Sequence, residues 1–461
     1  MAHRHRGRPL RARGRRAGGR GCRAGGAGIP LAALDAGRGG TAGPPRGRRR
    51  GRRAHPLGGP ETLVSPPEEA LPSPEEGLAS LRLFNFRNYA ELSLRLGPGL
   101  NVFVGENAQG KTNLLEAVAT LLLTRSPRTT TAGELLRWGA DEAAVDAVLV
   151  RGTLSESLAL RLRRVREPGA GPADPAESPP RIARTTSSDG HPIAPRDLLG
   201  RWPVVLFWPD DLQLVKAGPE ARRRLLDVLL AQLDRGAADE LVRYRRVLEQ
   251  RNSLLRRLHL EGGDAPDHLR TFDDALVLHG AGVRVARTGL VRTLGPLAAA
   301  AMAEISDATD ALEMRYVPHG ATATDNREEA MAALRRTLAR AHAEELARGT
   351  TVVGPHRDDM EYVLNDRAAR STGSQGQQRT AVLATKIAEV RLVGRVSGRM
   401  PLLLLDDVLS ELDPARRERL LGALATGAGA PQTMVTCSEE GLFGERRSQH
   451  FVVRQGTVLA R

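Results

Sequence analysis

The chain has 461 residues, with 68 lysine and arginine residues against 54 aspartate and glutamate residues, and this net charge of +14 suggests an anionic partner such as a nucleic acid. No apolar run approaches the roughly 20 residues of a membrane-spanning helix, so an integral membrane protein is excluded and a cytoplasmic location is expected. The two cysteines, Cys22 and Cys437, exclude a disulfide framework and a cysteine-based metal site.

The first 60 residues hold all of the excess charge. They contain sixteen arginines, sixteen glycines and one acidic residue, whereas the other 401 residues contain 52 basic and 53 acidic residues. Such a composition cannot bury enough apolar surface to offset its ordering entropy, so residues 1–78 are predicted to be a disordered extension. Two interpretations stay open: a basic arm that binds nucleic acid, or upstream sequence translated from a start codon placed too early.

Residues 79–218 have the pattern of the first half of an α/β domain. Alternating or buried apolar runs predict strands at 81–86, 92–96, 100–104, 145–150, 158–162 and 204–207. A helix is expected over 113–123, and the residues 167–195, rich in proline, alanine, serine and glycine, are expected to form an exposed loop.

Helical periodicity begins at Pro219 and continues to about Ala347. Interruptions are expected at Gly262-Gly263, at Gly280 to Gly282 and at Pro318 to Gly320, which favours a compact lobe over an extended coiled coil. One helix face is marked by apolar residues at helical spacing: Leu241, Tyr244, Leu248, Leu255 and Leu258.

Residues 348–461 return to mixed α/β character. A helix is expected over about 377–393, and strands are expected at 350–353, 360–364, 401–405, 433–436 and 451–453. The predicted fold class is therefore α/β, with a head in two halves, 79–218 and 348–461, and a helical lobe at 219–347 inserted between them.

Residues 105–112 match the pattern G-x-x-x-x-G-K-S/T between a predicted strand and a predicted helix, the context that a phosphate-binding loop requires. Its glycines let backbone N–H groups surround phosphates, Lys111 reaches the β and γ phosphates, and Thr112 can bind Mg²⁺. The predicted ATP-binding residues are Gly105, Glu106, Asn107, Ala108, Gln109, Gly110, Lys111 and Thr112.

The apolar run 401–405 ends in Asp406 and Asp407, the form of a Walker B strand. Asp406 is the predicted Mg²⁺ ligand together with Thr112, and Asp407 is the predicted catalytic residue that orients or deprotonates water. The 295 positions between Lys111 and Asp406 leave room for the inserted lobe.

A third motif opens the helix that precedes this strand. It resembles the signature of ABC ATPases, which approaches the γ-phosphate of a nucleotide held by the opposite subunit, and its residues are Ser374, Gly376, Gln377 and Gln378. The alternative interpretation is a polar helix cap, but the position of the motif between the P-loop and Walker B favours the functional one. Ser410 and Asp413 resemble the D-loop of the same class.

Five stretches together resemble the RecF family of bacterial recombination mediators: Asn85 to Tyr89, Gly105 to Glu116, Gly354 to Asp359, Ser374 to Arg379 and Leu404 to Asp413. The resemblance covers about residues 80–461, and Pro219, Arg222, Arg223 and the stretch Gln250 to Asn252 fit the helical lobe of that family. It implies an ABC-type, SMC-like ATPase that dimerises on ATP, binds DNA at gaps, and acts with RecO and RecR to load RecA for gap repair and the SOS response.

Departures from the general ABC pattern bear on the mechanism. Asp407 stands where glutamate is usual and is one methylene shorter, so slow hydrolysis suited to a switch is expected. No switch histidine follows the strand that ends at Thr436, and Gln213 is a candidate for the Q-loop glutamine.

The residues that would contact DNA are not identified by the sequence. His356 and Arg357, Arg222 to Arg224, and Arg243, Arg245 and Arg246 are candidates, although structural or solvated roles are commoner for such residues. Three other functions stay open: a soluble ABC transporter subunit, an SMC-like ATPase coupled to a nuclease, and a DNA-bound ATP sensor that does not hydrolyse. The 48 residues after Asp413 are too few for a nuclease domain, so nuclease activity is not expected.

Overall fold

The structure is a computed structural model that describes residues 76–165, 181–262, 266–306, 309–425, 430–439, 443 and 448–461. Its first strand already includes residues 76–78, so the predicted disordered extension is too long by three residues. The rest of that prediction concerns residues that lie outside the described ones. No helix in the described ranges is long and apolar enough to cross a lipid bilayer.

The described residues form mixed secondary structure. The strands are β1 (Glu76–Phe86), β2 (Tyr89–Arg95), β3 (Leu100–Val104), β4 (Glu142–Arg151), β5 (Leu154–Val165), β6 (Arg181–Ser188), β7 (His191–Pro192), β8 (Val204–Phe207), β9 (Leu312–Val317), β10 (Asp359–Leu364), β11 (Arg367–Ala368), β12 (Leu402–Asp406), β13 (Thr433–Cys437), β14 (Ser448–Arg454) and β15 (Thr457–Ala460). The helices are α1 (Lys111–Leu122), α2 (Pro195–Leu198), α3 (Pro219–Leu233), α4 (Arg235–Glu261), α5 (Pro266–Ile305), α6 (Arg327–Arg348), α7 (Ala369–Thr372), α8 (Gln375–Ser397) and α9 (Pro414–Ala425).

The strands are arranged in three sheets. One has the order β15-β14-β3-β13-β12-β8 and is parallel except for β15. A second, antiparallel sheet has the order β2-β1-β4-β5-β6-β7, and a small third sheet has the order β11-β10-β9. Because parallel strands end at the same sheet edge, the segments that follow β3, β12 and β13 lie side by side.

The mainly parallel sheet separates two hydrophobic cores. Neighbouring side chains on its strands point to opposite faces, so Val102 and Leu403 belong to one core while Phe103 and Leu404 belong to the other. Helix α1 and the antiparallel sheet cover one face, and helices α3, α4, α5, α8 and α9 contribute to the core on the other. Continuous apolar strands are the expected result of burial on both faces.

The loop predicted over 167–195 is wrong in its second part. Residues 181–188 form β6, which pairs antiparallel with β5, and a hairpin turn at Asp189 and Gly190 leads to β7. Both turn residues have positive φ, +49° and +77°, the conformation that an Asp-Gly hairpin requires. Polar composition hid this strand because most of its residues are at least partly exposed.

The strand predicted at 350–353 does not form. The amide of Thr351 donates to the side chain of Asn252 at 2.8 Å, and the amide of Val352 donates to the carboxylate of Glu345 at 2.9 Å. Side chains therefore replace the partner strand as hydrogen-bond acceptors for this backbone.

The interruption predicted at Gly280 to Gly282 is also wrong, because α5 continues through both glycines. A Cβ at Gly282 would lie 2.8 Å from the Glu240 carboxyl carbon, and one at Gly280 would lie 3.3 Å from the Tyr244 ring. Both contacts are with α4, so the glycines allow the two helices to approach closely. Strand β9 was not predicted. It lies before the predicted domain boundary at residue 347 and pairs with β10, which lies after it. The limits of the domains stay predictions.

Candidate nucleotide-binding site

The loop 105–110 connects β3 to α1, and its two glycines are required by close neighbours. A Cβ at Gly105 would overlap the carbonyl oxygen of Val453 in β14. Gly110 has a φ of +113°, and a Cβ there would collide with the carboxamide of Asn88. These positions therefore exclude larger residues for steric reasons, and they keep the loop backbone compact at the first turn of α1.

Residues distant in sequence support this loop. The Asn88 side chain donates to the carbonyl of Gln109 at 3.1 Å, and the Tyr89 hydroxyl donates to the carbonyl of Gly110 at 3.0 Å. From the β14–β15 turn, the amide of Gly456 donates to the Gln109 carbonyl at 3.0 Å, and that of Gln455 donates to the Gln109 side chain at 2.7 Å. Gln455 and Gly456 were not predicted as part of the site. Their one signal in the sequence is a Gln-Gly dipeptide, which is typical of a turn.

Lys111 and Thr112 begin α1 and lie at the sheet edge where β12 ends. The ammonium group of Lys111, a residue that is 6% exposed, donates to the carbonyls of Gly105 and, at 2.9 Å, of Glu106. The hydroxyl of Thr112 donates to Oδ1 of Asp406 at 3.0 Å. Residues separated by 294 positions are thereby joined, as the pairing of P-loop and Walker B strand predicts.

Asp406 is buried and shares its carboxylate with two hydroxyl groups. Besides Thr112, the hydroxyl of Thr436 donates to Oδ1 at 2.7 Å, which leaves Oδ2 for a further ligand. Burial raises the pKa of Asp406, and the hydrogen bonds from Thr436 and Thr112 lower it in part. A carboxylate and a hydroxyl oxygen are ligands that Mg²⁺ prefers, so these residues fit the predicted cation. Bound there, Mg²⁺ would neutralise phosphate charge.

Asp407 follows directly in the left-handed region, with a φ of +51°. Its amide donates to the Thr436 hydroxyl at 2.9 Å, and its carboxylate accepts from the Ser410 hydroxyl at 2.5 Å. Asp413 caps α9 by accepting from the amide of Arg416 at 3.0 Å, and this bond lowers the pKa of Asp413. The predicted D-loop residues therefore hold the predicted catalytic carboxylate and the next helix.

The signature residues lie at the start of α8. Ser374 and Gln377 form a capping box: the Gln377 amide donates to the Ser374 hydroxyl at 3.2 Å, and the Ser374 amide donates to the Gln377 side chain at 3.0 Å. The side chain of Gln378 is buried and donates to the carbonyl of Ala369 at 2.8 Å. A Cβ at Gly376 would lie 2.8 Å from the Arg416 guanidinium, which places this glycine beside α9.

The structure does not join the signature to the P-loop. Among the described residues, no hydrogen bond or ion pair links 374–378 to 105–112. Gln213, the Q-loop candidate, is exposed at the end of the short helical turn that follows β8, and β8 is the neighbour of β12. Its role stays a prediction.

The stretch Gly354 to Asp359 connects the helices to β10. His356 accepts from or donates to the Tyr244 hydroxyl at 2.6 Å, and burial lowers the pKa of its ring to about 4. Asp358 is fully buried and accepts from Arg284 at 2.7 Å and from the Tyr316 hydroxyl at 2.5 Å. These contacts give His356 a structural position, and they do not present its ring to a ligand.

The arginine candidates for DNA contacts divide into two groups. Arg222 is 3% exposed and forms a bidentate pair with Asp359 at 2.8 and 2.9 Å, so it is unavailable to DNA. Arg245 pairs with Asp227 at 2.9 Å. Arg243 and Arg246 are exposed on α4 and make no ion pair with the residues described, and so they stay candidates.

Comparisons with known proteins agree with this site. A family model for an AAA domain matches residues 80–164. The DNA replication and repair protein RecF of Symbiobacterium thermophilum is 40% identical over 388 residues, which cover 83% of this chain and 98% of the relative. RecF of Nostoc punctiforme is 39% identical over 389 residues, which cover 83% of this chain and 99% of that relative. The identity and coverage extend far beyond the nucleotide-binding motifs.

The fold is also similar to a solved structure of the recombination mediator protein RecF with ATP in the RecFOR pathway. The TM-score is 0.73 and the sequence identity is 28%, and the match covers 86% of this chain and 99% of that chain. The predicted resemblance and the predicted fold class, an α/β P-loop ATPase head with a helical lobe, are confirmed. The chain belongs to the RecF family of DNA replication and repair proteins.

Proposed function

We propose that this chain is an ATP-switched, DNA-binding recombination mediator. It dimerises on ATP, acts at DNA gaps in repair, replication restart and SOS induction, and works with RecO and RecR to load RecA. Family membership supports this proposal, and so does the similarity of the fold to the solved structure of RecF with ATP. The observation that carries the switch is that the P-loop with the Walker B strand, on one side, and the signature residues, on the other, make no hydrogen bond with each other among the described residues.

One half of the proposed nucleotide site consists of the P-loop and the Walker B strand, which the Thr112 to Asp406 hydrogen bond joins directly. The other half is the start of α8, a 23-residue helix whose first-turn amides point out of the helix and favour an anion. The two halves make no hydrogen bond with each other within the described chain. The ATP site of one copy would therefore be completed by α8 of a second copy. ATP thereby becomes part of the dimer interface.

Hydrolysis ends the dimeric state in this proposal. Asp407 acts on the attacking water, with Ser410 holding its carboxylate at 2.5 Å. Because aspartate is shorter than glutamate, the carboxylate stands farther from the phosphate, and a slow reaction results. Thr112 and Asp406 would hold Mg²⁺, which would neutralise charge on the phosphates.

The proposal is tested by measuring oligomeric state and binding to gapped DNA, with and without ATP, by analytical ultracentrifugation and fluorescence anisotropy. Lys111→Ala removes the phosphate-binding cation, and Ser374→Arg places a bulky side chain on the α8 amides. Both variants should stay monomeric with ATP and lose ATP-dependent DNA binding. Ser371→Arg, at an exposed serine three positions before the capping residue, is the matched control and should behave as wild type.

If Lys111→Ala and Ser374→Arg both dimerise on ATP and bind gapped DNA like the wild-type protein, the two-half site is wrong. The partner roles need a separate assay. RecA assembly on gapped DNA in the presence of RecO and RecR should increase when the chain and ATP are added, and it should not increase with Lys111→Ala.

A further inference from the structure

A surface cleft of about 590 Å³ opens beside the first turn of α1. Trp138 forms part of its rim and is 99% exposed, which is unusual for the largest apolar side chain. The cleft is lined by Arg87, Asn88, Asn113, Arg128, Glu134, Leu136, Arg137 and Trp138.

The inner wall of the cleft is continuous with the P-loop. Asn88 donates to the carbonyl of Gln109 at 3.1 Å, and Asn113 donates to the Asn88 side chain at 2.8 Å. Asn113 directly follows Thr112, the last residue of the P-loop motif. The cleft therefore adjoins the end of the P-loop and the first turn of α1.

The rim is held in place by backbone hydrogen bonds. The Arg137 amide donates to the carbonyl of Asn85 at 2.7 Å, and the Ala140 amide closes a turn onto Arg137 at 2.9 Å. Gly139 has a φ of +82°, as the third residue of a type II turn requires. The indole of Trp138 therefore stands on an ordered turn joined to the strand that leads to Asn88.

The charges in the cleft favour a neutral ring over a DNA backbone. Arg87 and Arg128 both pair with the buried carboxylate of Glu116, at 2.8 and 3.1 Å. Arg137 is the cation of this cleft without an ion pair among the described residues. A single unpaired cation is a weak site for successive phosphates, whereas an exposed indole offers a π face to any base.

We propose that Trp138 stacks on the base of the purine nucleotide whose phosphates the P-loop holds, and that it is a positioning residue for that nucleotide. This inference rests on the proposed function, since it requires ATP at residues 105–112. Stacking on an aromatic side chain strengthens binding by about 10-fold per base. Trp138 therefore contributes to affinity for the nucleoside part of ATP and not to affinity for its phosphates.

Isothermal titration calorimetry with the full chain and Mg²⁺ tests this inference, using ATP and inorganic tripolyphosphate as the two probes. Trp138→Ala should weaken ATP binding about 10-fold and change tripolyphosphate binding less than about 2-fold. Trp138→Phe should recover most of the ATP affinity. Leu260→Ala, at an 84% exposed leucine on α4, is the control for loss of an exposed apolar side chain and should bind both probes like wild type.

The outcomes separate the stacking from the proposed function. If the wild-type chain binds neither probe, the ATP site itself is wrong and the stacking fails with it. If the wild type binds both but Trp138→Ala keeps full ATP affinity, or loses both probes equally, only the stacking is overturned. A Trp138→Ala variant that keeps ATP affinity and loses oligonucleotide binding would assign the indole to DNA and overturn the inference as well.

Discussion

Asp407 is held more firmly than a carboxylate at the end of a strand needs to be. Its φ of +51° lies in a region that non-glycine residues rarely adopt and that costs on the order of 1 kcal/mol. Hydrogen bonds to Thr436 on one side and from Ser410 on the other fix both its backbone and its carboxylate. Backbone strain that the surrounding structure maintains is typical of residues in active sites, where the orientation of a side chain matters for the reaction.

Replacing this carboxylate by its neutral isostere separates hydrolysis from binding. Asp407→Asn keeps the shape and the acceptor for Ser410 but cannot take a proton, so ATP hydrolysis should fall by roughly 100-fold or more. ATP affinity and ATP-dependent dimerisation should stay within about 2-fold of wild type, because in the proposed site the phosphates would contact Lys111 and the loop amides. Phosphate release in single turnover and titration calorimetry measure the two effects.

Glu361→Gln, at an exposed carboxylate on β10, is the control for removal of one negative charge and should hydrolyse ATP at the wild-type rate. Hydrolysis by Asp407→Asn at that same rate would remove Asp407 from the mechanism.

The site residues that sequence can supply are those in contiguous motifs. Residues 105–112 and the Asp406-Asp407 pair have a spacing that alone restricts the chemistry, so no knowledge of the fold is needed to find them. Thr436, Gln455 and Gly456 reach the site because β13 and β14 lie on either side of β3. Such contacts depend on strand order, which a single sequence does not determine.

At the scale of elements, a fully buried arginine joins three parts of the helical region. Arg251 in α4 donates to Asp273 of α5 at 2.7 Å, to Glu345 of α6 at 2.7 Å and to Thr351 at 2.9 Å. Burial raises the pKa of Glu345, because the charged carboxylate loses its contact with water, and the guanidinium of Arg251 lowers it in part. The position of α6 against α4 therefore depends on a charge network and not only on apolar contact.

Arg251→Met should destabilise the protein by about 3 to 5 kcal/mol, because it leaves the buried carboxylate of Glu345 without its cation. Chemical denaturation followed by circular dichroism measures the loss. Arg257→Met, at an exposed arginine on the same helix, should change the free energy of unfolding by less than about 0.5 kcal/mol. Adding Glu345→Gln to Arg251→Met should recover part of the loss, and a double variant that is no more stable than the single one would contradict the electrostatic explanation.

The partly buried ring of His356 makes stability depend on pH. Its pKa is lowered from 6.5 to about 4 in the folded protein, so between these values the unfolded chain binds the proton more readily. The contribution of the neutral ring is complete above pH 6.5 and is lost as pH falls toward 4. From pH 7 to 5 the wild type should lose about 2 kcal/mol more than His356→Gln, which has no titrating ring.

Denaturation curves at several pH values measure this difference, and taking it between the two proteins cancels the carboxylates that titrate in both. His259→Gln, at an exposed histidine on α4, should follow the wild-type pH dependence. Parallel curves for wild type and His356→Gln would show that the ring does not stay neutral in the folded state.

The errors in predicting elements have specific physical causes. Glycines at 280 and 282 are breakers by propensity, yet they serve close packing against Glu240 and Tyr244 in the middle of α5. The polar residues of strand β6 favour a loop, although the Asp189-Gly190 dipeptide is a strong hairpin signal. Periodicity predicted most other elements correctly, since two-sided burial imposes it on the central strands.

At the scale of the whole molecule, net charge and DNA binding are separate matters. The first 60 residues carry sixteen arginines and one acid, while residues 61–461 carry one more acid than bases. The ATP site and the helices therefore belong to a nearly neutral part of the chain. In this part, any affinity for DNA requires a local group of cations, for which Arg243 and Arg246 are candidates.

Deleting residues 1–75 should separate the two contributions to DNA binding. Each phosphate neutralised by an arginine adds about 0.9 to the slope of log affinity against log salt, so losing several such contacts should flatten the slope by several units. The ratio of affinities with and without ATP should be unchanged, because the P-loop and α8 are retained. Anisotropy titrations at four or more salt concentrations give both quantities. A truncated chain with the full slope would show that the arginine-rich segment makes no DNA contacts, and one without the ATP effect would place the switch in that segment.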